Sequence, residues 1–463
     1  MESSRTRATT LCHMVAMPYP GRGHINPMMN LCKTLVSRTE SMLITFVLTE
    51  EWFGFIGCDP KPDRIRFKTI PNVVPSELVR AKDMEEFFKA VRTKMEAPFE
   101  DLLDQLDQPP TVIMADTFLS WVPGFGNRRN IPVTSFWTMP ATVFSIFHHL
   151  DLLRQRGHIF PDLLERGSER VDYIPGVSST RLVDLPSFIT SKPVSFLDAI
   201  MEMFSEVRKV QYILFPSIYE LEPHSIDALR AEFTVPVYPI GPAISFMELE
   251  DDSCGNNSKN DIDYIRWLDC QPSKSVLYIT MGSFLSFSIE QIDEIAAGLR
   301  ESGVRYLWVA RGEASRLKES AGGRGLVLQW CDQLRVLSHP SIGGFWTHCG
   351  WNSIKEGIFA GIPFLTFPIG VDQPTNSKLI VEDWMIGWRV QEEYKEPNLV
   401  TRTGIAELVG KFMDLENNKG REMRRRVKEL QKVCRQAIAK DGSSETCIKS
   451  FLKDICSGNF STS

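Results

Sequence analysis

Residues Trp330 to Gln373, WCDQLRVLSHPSIGGFWTHCGWNSIKEGIFAGIPFLTFPIGVDQ, constrain the fold of this chain more than any other stretch. The run Ile342 to Trp346 is short, apolar and strand-like, and it ends in Thr347-His348-Cys349-Gly350. Trp351-Asn352-Ser353 then opens a segment whose apolar residues Ile354, Ile358 and Phe359 recur at helical spacing until Gly361-Ile362-Pro363 stops it. A second apolar run, Phe364 to Pro368, leads into Gly370-Val371-Asp372-Gln373. Strand, loop, helix, strand, loop is half of a nucleotide-binding α/β unit. Its polar side chains gather where strands end, and ligands of open α/β sheets sit there.

The same alternation runs along the rest of the chain. Candidate strands at His13 to Met17, Met42 to Leu48, Ile65 to Ile70, Thr111 to Ala115, Val133 to Phe136 and Tyr212 to Phe215 are interleaved with helical patterns at Pro27 to Val36, Met84 to Leu106 and Val194 to Val207. Such alternation argues for a parallel, doubly wound sheet. Pro161 to Pro186 is irregular and punctuated by proline and glycine, as a loop region over a cleft would be. Glu248 to Asp261 is acidic, rich in serine and asparagine and poor in apolar residues, which is linker composition. A second series follows it: Ser275 to Thr280, Tyr306 to Ala310, Leu326 to Leu328, Ile342 to Trp346 and Phe364 to Phe367. A length of 463 residues fits a two-domain enzyme. The expected architecture is α/β, with two Rossmann-like, doubly wound domains facing each other across a cleft. The first is placed over residues 1–242, a linker over 243–262, the second over 263–440 and a C-terminal segment over 441–463. Gly420 to Lys440 reads as a charged helix with a solvated face, and Ser443-Ser444 as the cap of a last helix, Cys447 to Ile455.

A net charge of −6 gives no electrostatic case for nucleic acid or an anionic membrane. No uninterrupted apolar stretch reaches the roughly 18 residues of a spanning helix. Leu11 to Met17, short and broken by His13, reads as a first strand rather than a secretory segment. The ten cysteines are scattered without a CxxC pair, so reduced thiols in a cytoplasmic protein are expected. The His348-Cys349 dipeptide lacks the spacing of a zinc site. Asp261-Ile262-Asp263 has the form of a DxD metal motif, but at the end of a linker it reads as a helix N-cap. No metal is expected.

Gly21-Arg22-Gly23-His24 lies between the first strand and a helix. As a dinucleotide loop it fails, because the third glycine of GxGxxG falls on Asn26, and a nicotinamide-dependent oxidoreductase fails with it. A tight turn remains, with His24 at or near a helix N-terminus whose dipole disfavours an imidazolium. A neutral imidazole suits a general base; capping the helix is the plainer role. Asp116 ends the run Thr111 to Ala115, which puts it on the ligand edge of the same sheet or at the cap of a helix starting near Phe118. Together the two residues make a His-Asp dyad, in which the carboxylate holds one ring nitrogen while the other takes a proton.

Residues 330–373 resemble, nearly position for position, the 44-residue signature box of plant secondary-product glycosyltransferases that use UDP-sugars. Trp330 opens the box, His348-Cys349-Gly350-Trp351-Asn352-Ser353 forms its core, Glu356 follows and Asp372-Gln373 close it. Pro20 to Pro27, and Trp267-Leu268-Asp269 running on to Gly282-Ser283, share the resemblance, which in outline covers almost the whole chain. It implies the GT-B architecture, a C-terminal tail crossing back onto the first domain, and His24 as base with Asp116 as its partner. It also implies a donor site. Trp330 would stack on uracil, the backbone at Cys331 and side chain of Gln333 would complete the base and ribose contacts, and Glu356 would accept both ribose hydroxyls. The diphosphate would meet the helix N-terminus at Gly350 and Trp351 without a metal, with His348, Asn352, Ser353 and Ser283 adding donors. Asp372 and Gln373 would bind the hexose, and Thr138 matches a position near the sugar. Trp351 and a closing Gln373 are the glucose-type choices, so UDP-glucose is the expected donor. Arg22 departs from the glutamine common at its position, and faces either the donor phosphates or solvent.

The implied reaction is one displacement that inverts the anomeric centre and gives a β-glucoside. Phe118, Trp121, Phe144, Phe147 and Phe188 either line an apolar acceptor pocket or belong to the core, and phenolic, terpenoid and hormone-like alcohols all fit. The expected enzyme is a monomer, with no cofactor beyond its co-substrate, no nucleic-acid partner and no membrane span. A catalytically weak, sugar-nucleotide-binding regulator is the alternative. It would keep the box and lose the dyad, and here both dyad residues are present.

Overall fold

Cys12–Met17 and Met42–Thr49 are buried at every position, the pattern of parallel strands covered on both faces. Strands of this kind dominate the computed structural model, which describes residues 11–80, 83–191, 194–246, 259–282, 287–320, 322–391 and 399–457. In chain order they are β1 (Cys12–Met17), β2 (Met42–Thr49), β3 (Ile65–Ile70), β4 (Val112–Asp116), β5 (Val133–Phe136), β6 (Arg170–Val171), β7 (Thr180–Arg181), β8 (Tyr212–Phe215) and β9 (Val237–Pro239), then β10 (Val276–Thr280), β11 (Arg305–Val309), β12 (Gly325–Leu328), β13 (Ile342–Thr347), β14 (Phe364–Thr366) and β15 (Gly387–Arg389).

The chain divides into two compact units. The first comprises Met1–His148, Asp198–Ala243 and Ala437–Ser463; the second comprises His149–Leu197 and Ile244–Gln436. In the first, the described strands form a parallel sheet in the order β3-β2-β1-β4-β5-β8-β9. In the second they run β12-β11-β10-β13-β14-β15, again parallel, beside the small antiparallel pair β6–β7. Each sheet therefore has one place where the strand order turns back, between β1 and β4 and between β10 and β13. Ligand sites of doubly wound sheets form at such a switch point.

Several boundaries differ from the sequence expectation. The helix expected from Pro27 starts at Arg22 and runs Arg22–Arg38, which puts His24 in its first turn. Met84 to Leu106 is two helices, Met84–Lys94 and Glu96–Asp104. Pro98 has no N–H to donate to the carbonyl four residues back, so the first helix cannot run through. Ser443-Ser444 lie inside the last helix, Ser443–Ser457, rather than ahead of it. The linker placed at 243–262 falls largely outside the described residues, and its end lies in the helix Lys259–Asp269.

The largest difference concerns the stretch His149–Leu197, placed by sequence in the first domain but grouped with the second unit. Its hydrogen bonds explain this. Ser187 N–H donates to the Val371 carbonyl at 2.8 Å, Val371 N–H donates to Ser187 Oγ at 2.7 Å, and Thr375 Oγ1 donates to the Asp184 carbonyl at 2.8 Å. Asp184 is also paired with Arg389 at 3.3 Å.

The last helix belongs to the first unit. Ile448, Phe451, Leu452 and Ile455 enter the same core as Met14, Leu35 and Phe46, with Phe451 edge-on to Tyr212 at 5.7 Å. Arg38 Nε donates to Glu445 at 3.0 Å and Tyr238 Oη to Asp454 at 2.6 Å. Among the described residues no helix is long and apolar enough to cross a membrane. Truncating a fully buried phenylalanine to alanine costs about 3–5 kcal/mol. Phe451→Ala should therefore destabilise the protein by about that amount in urea denaturation, although the residue lies in the C-terminal tail.

Candidate active site

β1 and β4 are neighbours at the first switch point, with Met17 opposite Ala115. His24 follows β1 and Asp116 is the last residue of β4. The Asp116 carboxylate is buried and fully used. Oδ2 accepts from His24 Nδ1 at 2.7 Å, and Oδ1 accepts from the Phe118 N–H at 3.0 Å. Both roles open to Asp116 in the sequence are thus present, although the bond to Phe118 closes a turn and the next helix is Val122–Arg128. With Nδ1–H committed to the carboxylate, the ring's lone pair sits on Nε2, and no described residue hydrogen-bonds that atom. The side chain keeps 21% of its surface exposed. Tyr19 and Phe118 flank it, with ring centroids 4.9 and 5.7 Å away.

Thr138, expected near a donor sugar, has its Oγ1 3.0 Å from His24 Nδ1. Arg22 is half-buried, and its guanidinium lies over Trp52, 5.9 Å from the ring centroid. Of the five aromatic candidates only Phe118 stands beside His24. Trp121 packs on Phe99 and Phe125, Phe144 and Phe147 are core residues around Trp137 and Phe204, and Phe188 stacks on Phe196 in the second unit.

At the second switch point Thr280 of β10 lies opposite Thr347 of β13. His348 follows, and its ring fills the space left by two glycines. A Cβ on Gly282 or Gly350 would come within 2.5 or 2.6 Å of Nε2, and Gly282 also has a φ of +80°. Burial holds the His348 imidazole down to about 4, so it is neutral. Ser283 lies outside the described residues. Cys349 takes a left-handed φ of 69°, strained for a side chain with a Cβ, as does Val371 at 59°. The strained turn at Cys349 aims the helix Trp351–Ala360, whose N-cap, Gly350, offers no side-chain bond to the first turn. Its backbone N–H groups are therefore open to an anion, beside half-buried Asn352 and buried Ser353.

Trp330 is 54% exposed, a large aromatic face without cover, whereas Cys331 is buried and its thiol is pushed up to about 12 by burial. Gln333 is the hub next to it. Its Nε2 donates to Ser353 Oγ at 3.0 Å and Glu356 Oε2 at 2.7 Å, and its Oε1 accepts from Tyr278 Oη at 3.4 Å. Desolvation pushes the Glu356 carboxyl up to about 7, against the pull of the Gln333 bond.

Beyond β14, Gln373 Oε1 accepts from the N–H groups of Ile369 at 2.8 Å and Gly370 at 3.1 Å, so its amide nitrogen is the end left to meet a hydroxyl. Asp372 Oδ2 accepts from Asn376 Nδ2 at 2.7 Å, and the same nitrogen donates to the Cys349 carbonyl at 2.9 Å. Asn376, fully buried, thereby ties the loop after β13 to the loop after β14. It was missed in the sequence; the available signal was an amide four residues after Asp372 on one helical face.

Two doubly wound units, the first bearing an imidazole–carboxylate pair at its switch point and the second an anion-ready helix beside an uncovered tryptophan, define a nucleotide-sugar transferase of the GT-B class. The chain belongs to the UDP-glycosyltransferase family. Residues 195–400 match the family described as UDP-glucoronosyl and UDP-glucosyl transferase. The chain is 52% identical to UDP-glycosyltransferase 87A2 of Arabidopsis thaliana over 99% of this chain and 100% of that one, and 52% identical to UDP-glycosyltransferase 87A1 of the same plant over 95% and 99%. The solved structure of Medicago truncatula UGT71G1 complexed with UDP-glucose superposes with a TM-score of 0.83 at 27% identity, covering 97% of this chain and 99% of that one.

Lys355 lies in the helix that carries Glu356. It is 2% exposed, its Nζ has no hydrogen-bond partner, and burial pulls its ammonium down to about 7. The unfolded chain thus binds more protons than the folded one between about pH 7 and the unfolded value near 10.5, so stability rises with pH across that window. Lys355→Met should stabilise the protein at pH 7 by on the order of 2–4 kcal/mol in urea denaturation, and the gap over the parent should shrink toward pH 10.

Proposed function

We propose that this enzyme transfers glucose from UDP-glucose to a hydroxyl of a small lipophilic acceptor, with inversion, giving a β-glucoside. The observation that carries the reading is His24, with Nδ1 clamped by the buried Asp116 carboxylate and Nε2 bonded to no described residue. In the proposed step Nε2 takes the acceptor hydroxyl proton as the acceptor oxygen attacks the anomeric carbon. The bond from that carbon to the UDP oxygen breaks, and UDP leaves with the electron pair. Asp116 stabilises the imidazolium that forms. One displacement on an α-linked donor yields the β-product.

Trp330 stacks on uracil, and Glu356, steadied by Gln333, accepts the ribose hydroxyls. The N-terminus of the helix Trp351–Ala360 receives the diphosphate with neutral His348, Asn352 and Ser353, a donor set that binds anions through N–H and O–H groups and assigns no metal. Asp372 and the amide nitrogen of Gln373 meet the hexose. Glucose as the sugar is supported by the Trp351 and Gln373 pattern and by the UDP-glucose bound to UGT71G1. Tyr19 and Phe118 beside His24 favour an acceptor with a flat apolar body.

His24→Ala should lower turnover by about 10²–10⁴-fold while UDP binds as in the parent. Mass detection of hexose addition across a panel of phenolic and terpenoid alcohols, with UDP titration alongside, checks both halves. Full activity in that variant removes the base assignment, and preference for UDP-galactose over UDP-glucose removes the donor assignment. Ionised Glu356 can accept from both ribose hydroxyls, and protonation turns one of its oxygens into a donor, so UDP affinity should fall as pH drops below about 7. Glu356→Gln should flatten that dependence in calorimetric titrations.

A further inference from the structure

The second unit contains a cavity of about 690 Å³ that no described donor residue lines. Its volume lies within the roughly 300–1,000 Å³ typical of small-molecule sites. One wall is the stacked pair Phe287 and Phe367, with ring centroids 4.3 Å apart at 27°. Leu399 continues that wall and is 44% exposed.

Charge comes from Arg389, which is only 9% exposed, and from the ion pair of Arg181 with Asp184, all three lining the same cavity. Arg389 Nη2 makes every contact to its acidic partners, at 3.3 Å to both Asp184 oxygens and 2.9 Å to Glu382 Oε1. Nη1 and Nε make no hydrogen bond to a described residue. A guanidinium carries five N–H donors in a planar fork that matches a carboxylate in two-point geometry. Neither atom is a buried donor without a partner, so both reach the open volume, where a bound acceptor can meet them.

We infer that this cavity is a second ligand site, which takes a small carboxylate with a flat apolar body. The carboxylate pairs with Arg389 and the ring lies against Phe287 and Phe367. The inference does not rest on the choice of sugar or acceptor proposed above. The occupant would touch the turn at Ile369 and Gly370, whose N–H groups are held by Gln373, so it would border the donor residues without sharing them.

The test is direct binding to the full chain, using naphthalene-2-carboxylate and its uncharged carboxamide as probes in calorimetric and ligand-observed NMR titrations, with and without saturating UDP. Saturable binding of the carboxylate is expected, weaker by about tenfold or more for the amide and in Arg389→Gln, where the charge-assisted pair is lost. Thr190→Trp, which fills the cavity from a different element, should abolish binding while UDP affinity stays at the parental value. The site assignment is overturned if the carboxylate does not saturate, if the amide binds equally well, if UDP displaces the probe, or if Thr190→Trp leaves the carboxylate bound as before. Should Arg389→Gln fail to fold through loss of its pairs with Asp184 and Glu382, the amide comparison and Thr190→Trp still decide the question.

Discussion

The carboxylate of Asp116 is the fixed point of the first unit. It sits buried at the last residue of a central strand, where an isolated ionised group would be costly, and both its oxygens are spent on N–H donors. One donor is a backbone amide that closes the turn after β4; the other is the imidazole. The same group that completes the fold at this edge also fixes which ring nitrogen carries a hydrogen. A rigid strand end and a first-turn helical residue supply the two halves, so rotamer freedom is small on both sides. Thr138, arriving from the end of the next strand, completes the enclosure of Nδ1.

The second unit solves a related problem with strain. Two non-glycine residues in left-handed conformations, Cys349 and Val371, sit at adjacent strand ends, and the neighbouring hydrogen bonds hold them there. Asn376 bridges the Cys349 carbonyl and the Asp372 carboxylate, and Ser187 exchanges bonds with Val371. Such conformations persist only where the surroundings over-determine them, and here the surroundings belong to the site itself.

The central strands were legible because burial on both faces demands continuous apolar runs, which few other elements require. β3, β5 and β8 match their expected limits, and the other anticipated strands shift by a residue or so at an end. The edge strands β9 and β15 were not seen. Each has three residues, one ends in proline and the other opens with glycine, and an edge needs neither a long run nor a full ladder. The signature stretch placed its side chains at the second switch point because spacing along a strand–helix–strand unit fixes where each residue emerges. Asn376 escaped although an amide four residues after Asp372 marks one of its bonds, because its Cys349 partner lies 27 residues away; the contact of Thr138 with His24 spans 114 residues and has no local pattern. Residues 149–197 group with the second unit for the same reason: bonds to Val371, Thr375 and Arg389, rather than chain continuity, decide where they pack.

The return of the last helix to the first unit bears on how the protein is made. β1, β2 and β4 leave the ribosome early, but Ile448, Phe451 and Ile455, which share their core, follow only after the whole second unit. The nascent first sheet must therefore wait, partly clothed, through the production of an entire second unit. Vectorial synthesis cannot close the core of the first unit ahead of the second.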